Sequence, residues 1–279
     1  MLGSGGRLIS FTKAHACGND FLIVTEEAAS GQDWAALTRR LCARNTGVGA
    51  DGIEFFRWTG PCSGAIRLHN ADGSIAEISG NGTRCVAAWM AEALGAQAPD
   101  HLSIETDAGL RLCRVNAVRS GDRFEVEITT GMGVPNYSQR TVTVGDGTEI
   151  AGVEVSTGNP HFVIAVDNAQ FTVAGRSWPS IGAEICTHPD FPSQTNVEFI
   201  RILSSNEIEL RIFERGVGPT TSSGTGTSAS ATAAIAVHGC KSPLTVVAPG
   251  GAQTVEWNGQ GCELELTGPA ALVARGEAY

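Results

Sequence analysis

The sequence predicts an α+β fold built from two similar domains, and three observations carry that reading. A five-residue motif occurs twice, its two copies keep one register over a long stretch, and each half otherwise reads as short strands. Ser79-Gly80-Asn81-Gly82-Thr83 opens an Ala-rich run ending at Gly95, and Ser223-Gly224-Thr225-Gly226-Thr227 opens another ending at Gly239. The offset of 144 residues also relates Ile53-Glu54-Phe55 to Val197-Glu198-Phe199, Arg57 to Arg201, Arg67 to Arg211 and Asn70 to Glu214. Two copies of this length imply duplicated domains, since a solenoid stacks at least three short repeats.

Taken in order, Leu8 to Phe11 and Phe21 to Val24 read as strands joined by a turn-rich linker, Lys13 to Asp20. Asp33 to Arg44 has helical spacing, with Trp34, Leu37 and Leu41 on one side and Asp33 as its cap. The Gly-rich turn Gly47 to Gly52 leads into a strand, Ile53 to Arg57, and Ala65 to Asn70 forms the next. After the first Ala-rich helix, Leu102 to Thr106, Leu110 to Val118 and Arg123 to Ile128 alternate as a β-meander. The pattern resets near Thr130 to Pro135, dividing the chain into domains 1–128 and 129–267.

In the second domain two strands bracket Asp146-Gly147, and Val153 to Thr157 leads through Gly158-Asn159-Pro160-His161 into the strand Phe162 to Val166. This echoes Gly18-Asn19-Asp20-Phe21 at a slightly shorter offset. Thr195-Asn196-Val197 and Ile208 to Phe213 open and continue the second copy, and Leu244 to Ala248, Gly251 to Trp257 and Cys262 to Thr267 are late strands. Each half thus carries several strands and one central helix. Ala229 to Val237 is small and apolar all round, which marks a buried helix.

The chemistry gathers where those helices begin. Gly80, Gly82, Gly224 and Gly226 permit positive φ and close backbone approach. The first N–H groups of a helix lack intrahelical acceptors and lie at the positive end of its dipole, a ready site for a carboxylate or phosphate. Ser79 and Ser223 also suit plain N-caps, but a paired occurrence in one register favours two helix mouths opening on one cleft. Matching loops would bring Asn19, Asn70, Asn81, Asn159, Asn196, Glu214 and Arg215 to that cleft, a set suited to a small ligand with carboxylate and amino groups. His15 and His161 stand beside the two Gly-Asn turns, where a histidine serves structure more often than chemistry.

Composition bounds the alternatives. With 42% hydrophobic and 17% charged residues the chain is globular, and its net charge of -10 argues against a nucleic-acid partner. No apolar run reaches the roughly 18 residues of a membrane span, and the start shows no signal-peptide pattern, so a cytoplasmic address is expected. The eight cysteines show no zinc spacing and are expected to be reduced and mostly buried, so no metal is expected. Neither a Gly-x-Gly-x-x-Gly unit nor a P-loop is present for a nucleotide.

These residues resemble the diaminopimelate epimerase family. The matching segments are Phe11-Thr12-Lys13 with His15, Gly18 to Phe21, Arg44 with Gly47 to Gly52, Asn70 to Ser74, and Gly80-Asn81-Gly82 with Arg84-Cys85. Gly158 to His161, Thr195 to Phe199, Glu214 to Gly218, Gly224-Thr225-Gly226 and Pro249-Gly250-Gly251 complete them. The resemblance implies two pseudo-symmetric domains, each a β-barrel-like sheet around a central helix, with 268–279 returning to the first domain. It implies cofactor-free conversion of LL- to meso-2,6-diaminopimelate, a lysine and peptidoglycan precursor, with Asn19, Asn70, Gly80, Asn81, Asn159, Asn196, Arg215, Gly224 and Thr225 binding substrate. A homodimer is compatible with this.

In that family two cysteines exchange the Cα proton from opposite faces. Here Ser79 and Ser223 occupy those positions, so catalysis is assigned to Ser79, Ser223, His161 and Glu214, with His161 and Glu214 serving as bases or orienting the hydroxyls. A thiol has a pKa of about 8.5, whereas a serine hydroxyl needs an adjacent base. Pro219, where the family carries an acid, is a second departure and Ala14 a milder one. A non-catalytic binder of a diamino dicarboxylate, or a racemase or eliminase for a related amino acid, are the competing readings on the same scaffold. Cys17 and Cys85 are expected to be packing thiols.

Overall fold

The 144-residue offset recurs in the strand registers. Ile53 pairs with His69 and Val197 with Phe213; Leu68 pairs with Ala76 and Ile212 with Thr220. The computed structural model describes residues 8–76, 78–95, 101–120 and 124–279. It divides into two compact units, Met1–Thr130 with Pro269–Tyr279, and Gly131–Gly268.

In the first unit β1 (Ile9–Ala16) and β2 (Asn19–Thr25) form a hairpin whose two turn residues, Cys17 and Gly18, both have positive φ. Such turns match the twist of the strands they join. The expected long linker is therefore mostly strand, and His15 lies within β1. The alternation of Ala14 and Ala16 into the core, too short and small to register as a strand pattern, is what extends it. Helix α1 (Trp34–Cys42), capped by Asp33, crosses to β3 (Gly52–Gly60), which runs parallel to β2. Then follow β4 (Ser63–Asn70), β5 (Ile75–Ala76), helix α2 (Gly80–Leu94), β6 (His101–Thr106), β7 (Gly109–Ser120) and β8 (Phe124–Gly131). Arg123, expected to begin β8, lies outside the described residues.

The second unit repeats the plan with β9 (Asn136–Thr143), β10 (Glu149–Ser156), β11 (Pro160–Val166), α3 (Trp178–Cys186), β12 (Asn196–Ser204) and β13 (Glu207–Glu214). It continues through β14 (Gly218–Thr220), α4 (Gly224–Ala236), β15 (Leu244–Ala248), β16 (Gly251–Trp257) and β17 (Leu264–Ala278). Strand β17 starts against β16 and ends against β1, where Ile9 pairs with Ala278. Helix α3 went unread in the sequence because it is short and Gly182 interrupts its pattern; it packs Ile181, Ile185 and Cys186 on the outer face of the strands, as α1 does with Leu37 and Leu41.

The strands close around the central helices. In the first unit the pairings run β17, β1, β2, β3, β4, β6, β7, β8 and back to β17. In the second they run from β9 through β10, β11, β12, β13, β15 and β16 to β17, and hydrogen bonds between Met132–Gly133 and Leu264 complete the ring. Inside the first ring, Cys85, Val86, Ala87, Ala88, Met90 and Ala91 of α2 pack with Phe21, Phe56, Ile104 and Leu272. Inside the second, the alanines of α4 pack with Val163, Ile200, Leu210 and Leu266. None of the eight cysteines is in a disulfide, and six are buried.

Aromatic side chains of neighbouring strands leave no space at two strand glycines. A methyl on Gly64 would overlap the Phe56 ring, and one on Gly152 would overlap Phe162. Gly64→Ala and Gly152→Ala are each expected to destabilise the protein by about 1–3 kcal/mol, the usual cost of overpacking. Urea unfolding checks this, and an unchanged midpoint in both variants would contradict the packing described.

Candidate active site

Each central helix begins at a serine that closes its own first turn. The Ser79 Oγ accepts the Gly82 N–H at 3.0 Å, and the Ser223 Oγ accepts the Gly226 N–H at 3.2 Å. Both serines have extended backbones, as an N-cap requires. The helix start directs the N–H groups of Gly80 and Asn81, and of Gly224 and Thr225, out of the first turn. None of the four motif glycines has positive φ, contrary to the conformational reading of the sequence. Space is the reason for glycine instead. A Cβ on Gly82 would strike the Glu54 Oε1, and one on Gly226 would stand 2.9 Å from the Glu198 Oε1.

Glu54 and Glu198 are the residues that sequence reasoning missed. Both are fully buried, at equivalent strand positions beneath equivalent helix starts. The signal was present: an acid inside an otherwise apolar strand, twice, 144 residues apart. Their partners differ. The His161 Nδ1 lies 2.7 Å from the Glu198 Oε1, whereas Phe21 occupies the position equivalent to His161 in the first unit. Burial pushes the Glu54 carboxyl up to about 8. Burial also raises Glu198, with the neighbouring His161 opposing it.

In the second unit a chain of hydrogen bonds runs from this carboxyl to the capping serine. The His161 Nε2 contacts the Asn159 Oδ1 at 2.9 Å, the Asn159 amide donates to the Thr225 hydroxyl at 3.4 Å, and the Thr225 and Ser223 hydroxyls are 3.4 Å apart. His161 is thus a buried strand residue, 1% exposed, rather than the loop histidine that its neighbouring Gly-Asn turn suggested. Asn196 donates to the Pro160 carbonyl and accepts the Arg215 N–H, fixing the turn that carries Glu214 and Arg215. The exposed Arg215 guanidinium donates to the Ser193 carbonyl, and Glu214 is half-buried at the end of β13.

In the first unit Asn19 is equivalent to Asn159 and is held from both sides. It donates to Asp51 at 2.6 Å and accepts the Asn81 amide at 3.2 Å. Asn81 is fully buried, and its own oxygen accepts the buried Arg84 guanidinium. Asp51 in turn binds Arg44, which also binds Asp20, and Lys13 completes the cluster. Burial opposes ionisation of Asp20, but the hydrogen bonds from Arg44 and Lys13 prevail and hold its carboxyl below the usual range. Asn70 turns onto its own loop, bonding Ser74. His15 accepts the Gly18 N–H weakly at 3.5 Å. Cys85 is fully buried within α2, and Cys17 is 5% exposed. The first unit therefore gathers Ser79, Gly80, Asn81 and Asn19, and the second gathers Ser223, Gly224, Thr225, Asn159 and His161. Asn70, Asn196, Glu214 and Arg215 stand at the adjoining strand ends.

Comparison with known proteins gives a consistent result. The family model described as Diaminopimelate epimerase matches residues 11–137 and 153–273. A diaminopimelate epimerase of Phocaeicola vulgatus is 34% identical over 96% of this chain and 98% of its own. One of Desulforudis audaxviator is 36% identical over 96% of this chain and 99% of its own. Among solved structures, a probable proline racemase from Agrobacterium radiobacter has a TM-score of 0.71 at 16% identity, covering 97% of this chain and 93% of that one. A hydroxyproline epimerase from Agrobacterium vitis has a TM-score of 0.69 at 18% identity, covering 98% and 91%. At such identities these two show the shared fold alone.

The two raised carboxyls make stability pH-dependent. An acid whose folded pKa lies above its unfolded value binds its proton more tightly in the native state, so stability falls as pH rises from the ordinary carboxylate range through the folded pKa. For Glu54 that window runs from 4.5 to about 8. Thermal melts are expected to fall across it, and Glu54→Gln to flatten the fall. A melting temperature that climbs throughout that window, alike in both proteins, would contradict the burial of an acid here.

Proposed function

The chain belongs to the diaminopimelate epimerase family, and we propose from its two half-sites that it interconverts LL- and meso-2,6-diaminopimelate by moving the Cα proton through Ser79 and Ser223. The observation that carries the assignment is the hydrogen-bonded path from Glu198 through His161, Asn159 and Thr225 to Ser223. A serine hydroxyl at its ordinary pKa does not take a proton from carbon, so it must pass one on to a base as it acts. In the second half-site the path orients the hydroxyls, since the Asn159 oxygen accepts from His161 and its NH2 donates to Thr225, and Glu214 is the base we assign to Ser223.

Each helix mouth, Gly80–Asn81 and Gly224–Thr225, suits an α-carboxylate, because N–H groups and the helix dipole favour an anion there. No metal or organic cofactor enters the scheme. The reaction needs one acid and one base on the two faces of the carbon, together with hydrogen bonds that stabilise the carbanion's charge on the carboxylate. Asn70, Asn196 and Arg215 bind the far amino and carboxylate groups, and Glu214 receives the ammonium group or assists Ser223. Asp51, through Asn19, keeps the first half-site's amide turned toward Asn81.

One observation favours slow turnover. Each serine oxygen accepts a backbone N–H of its own helix, and the path to His161 is long, with two links of 3.4 Å. Ser79→Cys with Ser223→Cys is therefore expected to raise α-proton exchange by about a hundredfold or more, since thiolate is accessible near neutral pH. Exchange of LL-diaminopimelate in heavy water, followed by NMR, measures this. A native chain already as fast as the double-cysteine variant would remove both serines from the acid–base role. Binding without exchange in either protein would favour the non-catalytic reading.

A further inference from the structure

Each unit holds a glutamate in mid-strand beneath the first turn of its central helix, and the two differ in what meets them. Glu198 bonds His161 through one oxygen. Glu54 is fully buried and neither of its carboxyl oxygens has a hydrogen-bond partner among the described residues. A buried carboxyl without a partner weakens a fold, and an apolar side chain of similar shape would not. Position 54 thus holds an acid that packing does not require. Its Oε1 lies where a Cβ on Gly82 would stand, and that same point is 3.2 Å from the Ser79 Cβ. The acid and the serine flank one glycine, whose N–H the serine already engages.

We propose that Glu54 is the proton store of the first half-site, exchanging a proton with the Ser79 hydroxyl as Ser79 exchanges one with the substrate Cα. This rests on the epimerase reading, and it makes Glu54 a positioning residue that acts through Ser79. When the first half-site removes a proton, the Cα–H bond breaks and its proton bonds to the Ser79 oxygen. The Glu54 carboxylate, without a hydrogen-bond partner at rest, turns onto the Ser79 hydroxyl in the same step: the original Ser79 O–H bond breaks, its proton bonds to that carboxylate, and the electron pair stays on Cα. When the half-site returns a proton, Ser79 gives its own to Cα and takes the proton of the neutral Glu54 acid.

The resting protonation suits one half of a two-base reaction, which needs an acid on one side and a base on the other. Glu54, raised to about 8 by burial, holds its proton at neutral pH. Its cross-strand neighbours are the uncharged Ile23 on β2 and Leu68 on β4. On α2 the titratable group that feels its charge is the Cys85 thiol, itself buried and pushed up well beyond the neutral range. Burial raises both Glu54 and Glu198, but only Glu198 meets an imidazole, so the two half-sites offer different partners to their serines.

The test is α-proton exchange in heavy water by the full chain, started separately from the LL and meso isomers across pH. Removal of a proton by the first half-site needs Glu54 ionised, so exchange from one isomer should rise as pH passes about 8. Glu54→Gln should lower that arm by about a hundredfold, abolish its rise with pH, and leave the other isomer's exchange within a few-fold. Glu54→Leu should lose the same arm while its melting temperature holds or rises, and Glu54→Asp should restore part of it. Unchanged rates and pH profiles in Glu54→Gln would overturn the proposal, as would equal losses from both isomers. Failure of both the Gln and Leu variants to fold would show a structural role and overturn it too. A native chain that exchanges neither isomer would remove the epimerase reading and this inference with it, whereas fully active Glu54 variants would remove this inference alone.

Discussion

A helix enclosed by a ring of strands must be small, apolar along its length and capped by its own residues, because no water reaches its buried turns. Helix α4 obeys this constraint along its whole length, whereas α2 departs from it at the buried Arg84 and, toward its C-terminal end, at Trp89 and Glu92. Helix α4 is alanine, serine and threonine around its whole circumference, and the hydroxyls of Ser228 and Thr232 donate to carbonyls one turn back. Ser79 and Ser223 satisfy the first turns, as a buried helix start demands. The positive ends of two buried dipoles are thereby fixed by the same packing that stabilises the units, and the candidate chemistry sits where that packing ends.

The duplication then diverged in what lies under those ends. Beneath Gly226 the carboxyl meets an imidazole, and the pair connects through Asn159 and Thr225 to a hydroxyl. Beneath Gly82 the carboxyl meets apolar strands, because Phe21 stands where the second unit has His161. One scaffold thus provides two environments for the same side chain: a partnered acid and an isolated one. With serine at both helix starts, the acid–base role proposed for Ser79 and Ser223 makes these carboxyls matter, since a hydroxyl relies on a neighbouring base where a thiol needs less help.

The duplication and the strand-and-helix plan of each unit were legible because register and glycine punctuation survive in the sequence, while closure of the strands into a ring was implied by the family resemblance. Ser79 with Ser223, and Asn19 with Asn159, declare themselves by repetition alone. What stayed hidden depends on partners distant in sequence. Glu54 and Glu198 look like ordinary strand residues until a helix start is laid over them. Gly82 and Gly226 look like turn residues, and only the carboxyl beneath each explains why no Cβ is accommodated. His161 reads as a loop residue because Gly158-Asn159-Pro160 precedes it, yet the strand begins at Pro160. Helix α3 was lost to its short length and to Gly182, which local propensity penalises and tertiary packing tolerates; Pro179 lies in the first turn, where proline is accommodated.

The most direct test of this account is the protonation of the two carboxyls. In protein labelled with carbon-13 at the glutamate carboxyl carbons, with Glu54 assigned by loss of its signal in Glu54→Gln, NMR across pH reads the ionisation of that side chain. The account predicts that Glu54 stays neutral at pH 7 and titrates at about 8. Titration in the ordinary carboxylate range would show that water or a cation reaches it, and would contradict an isolated acid held beneath the first helix mouth.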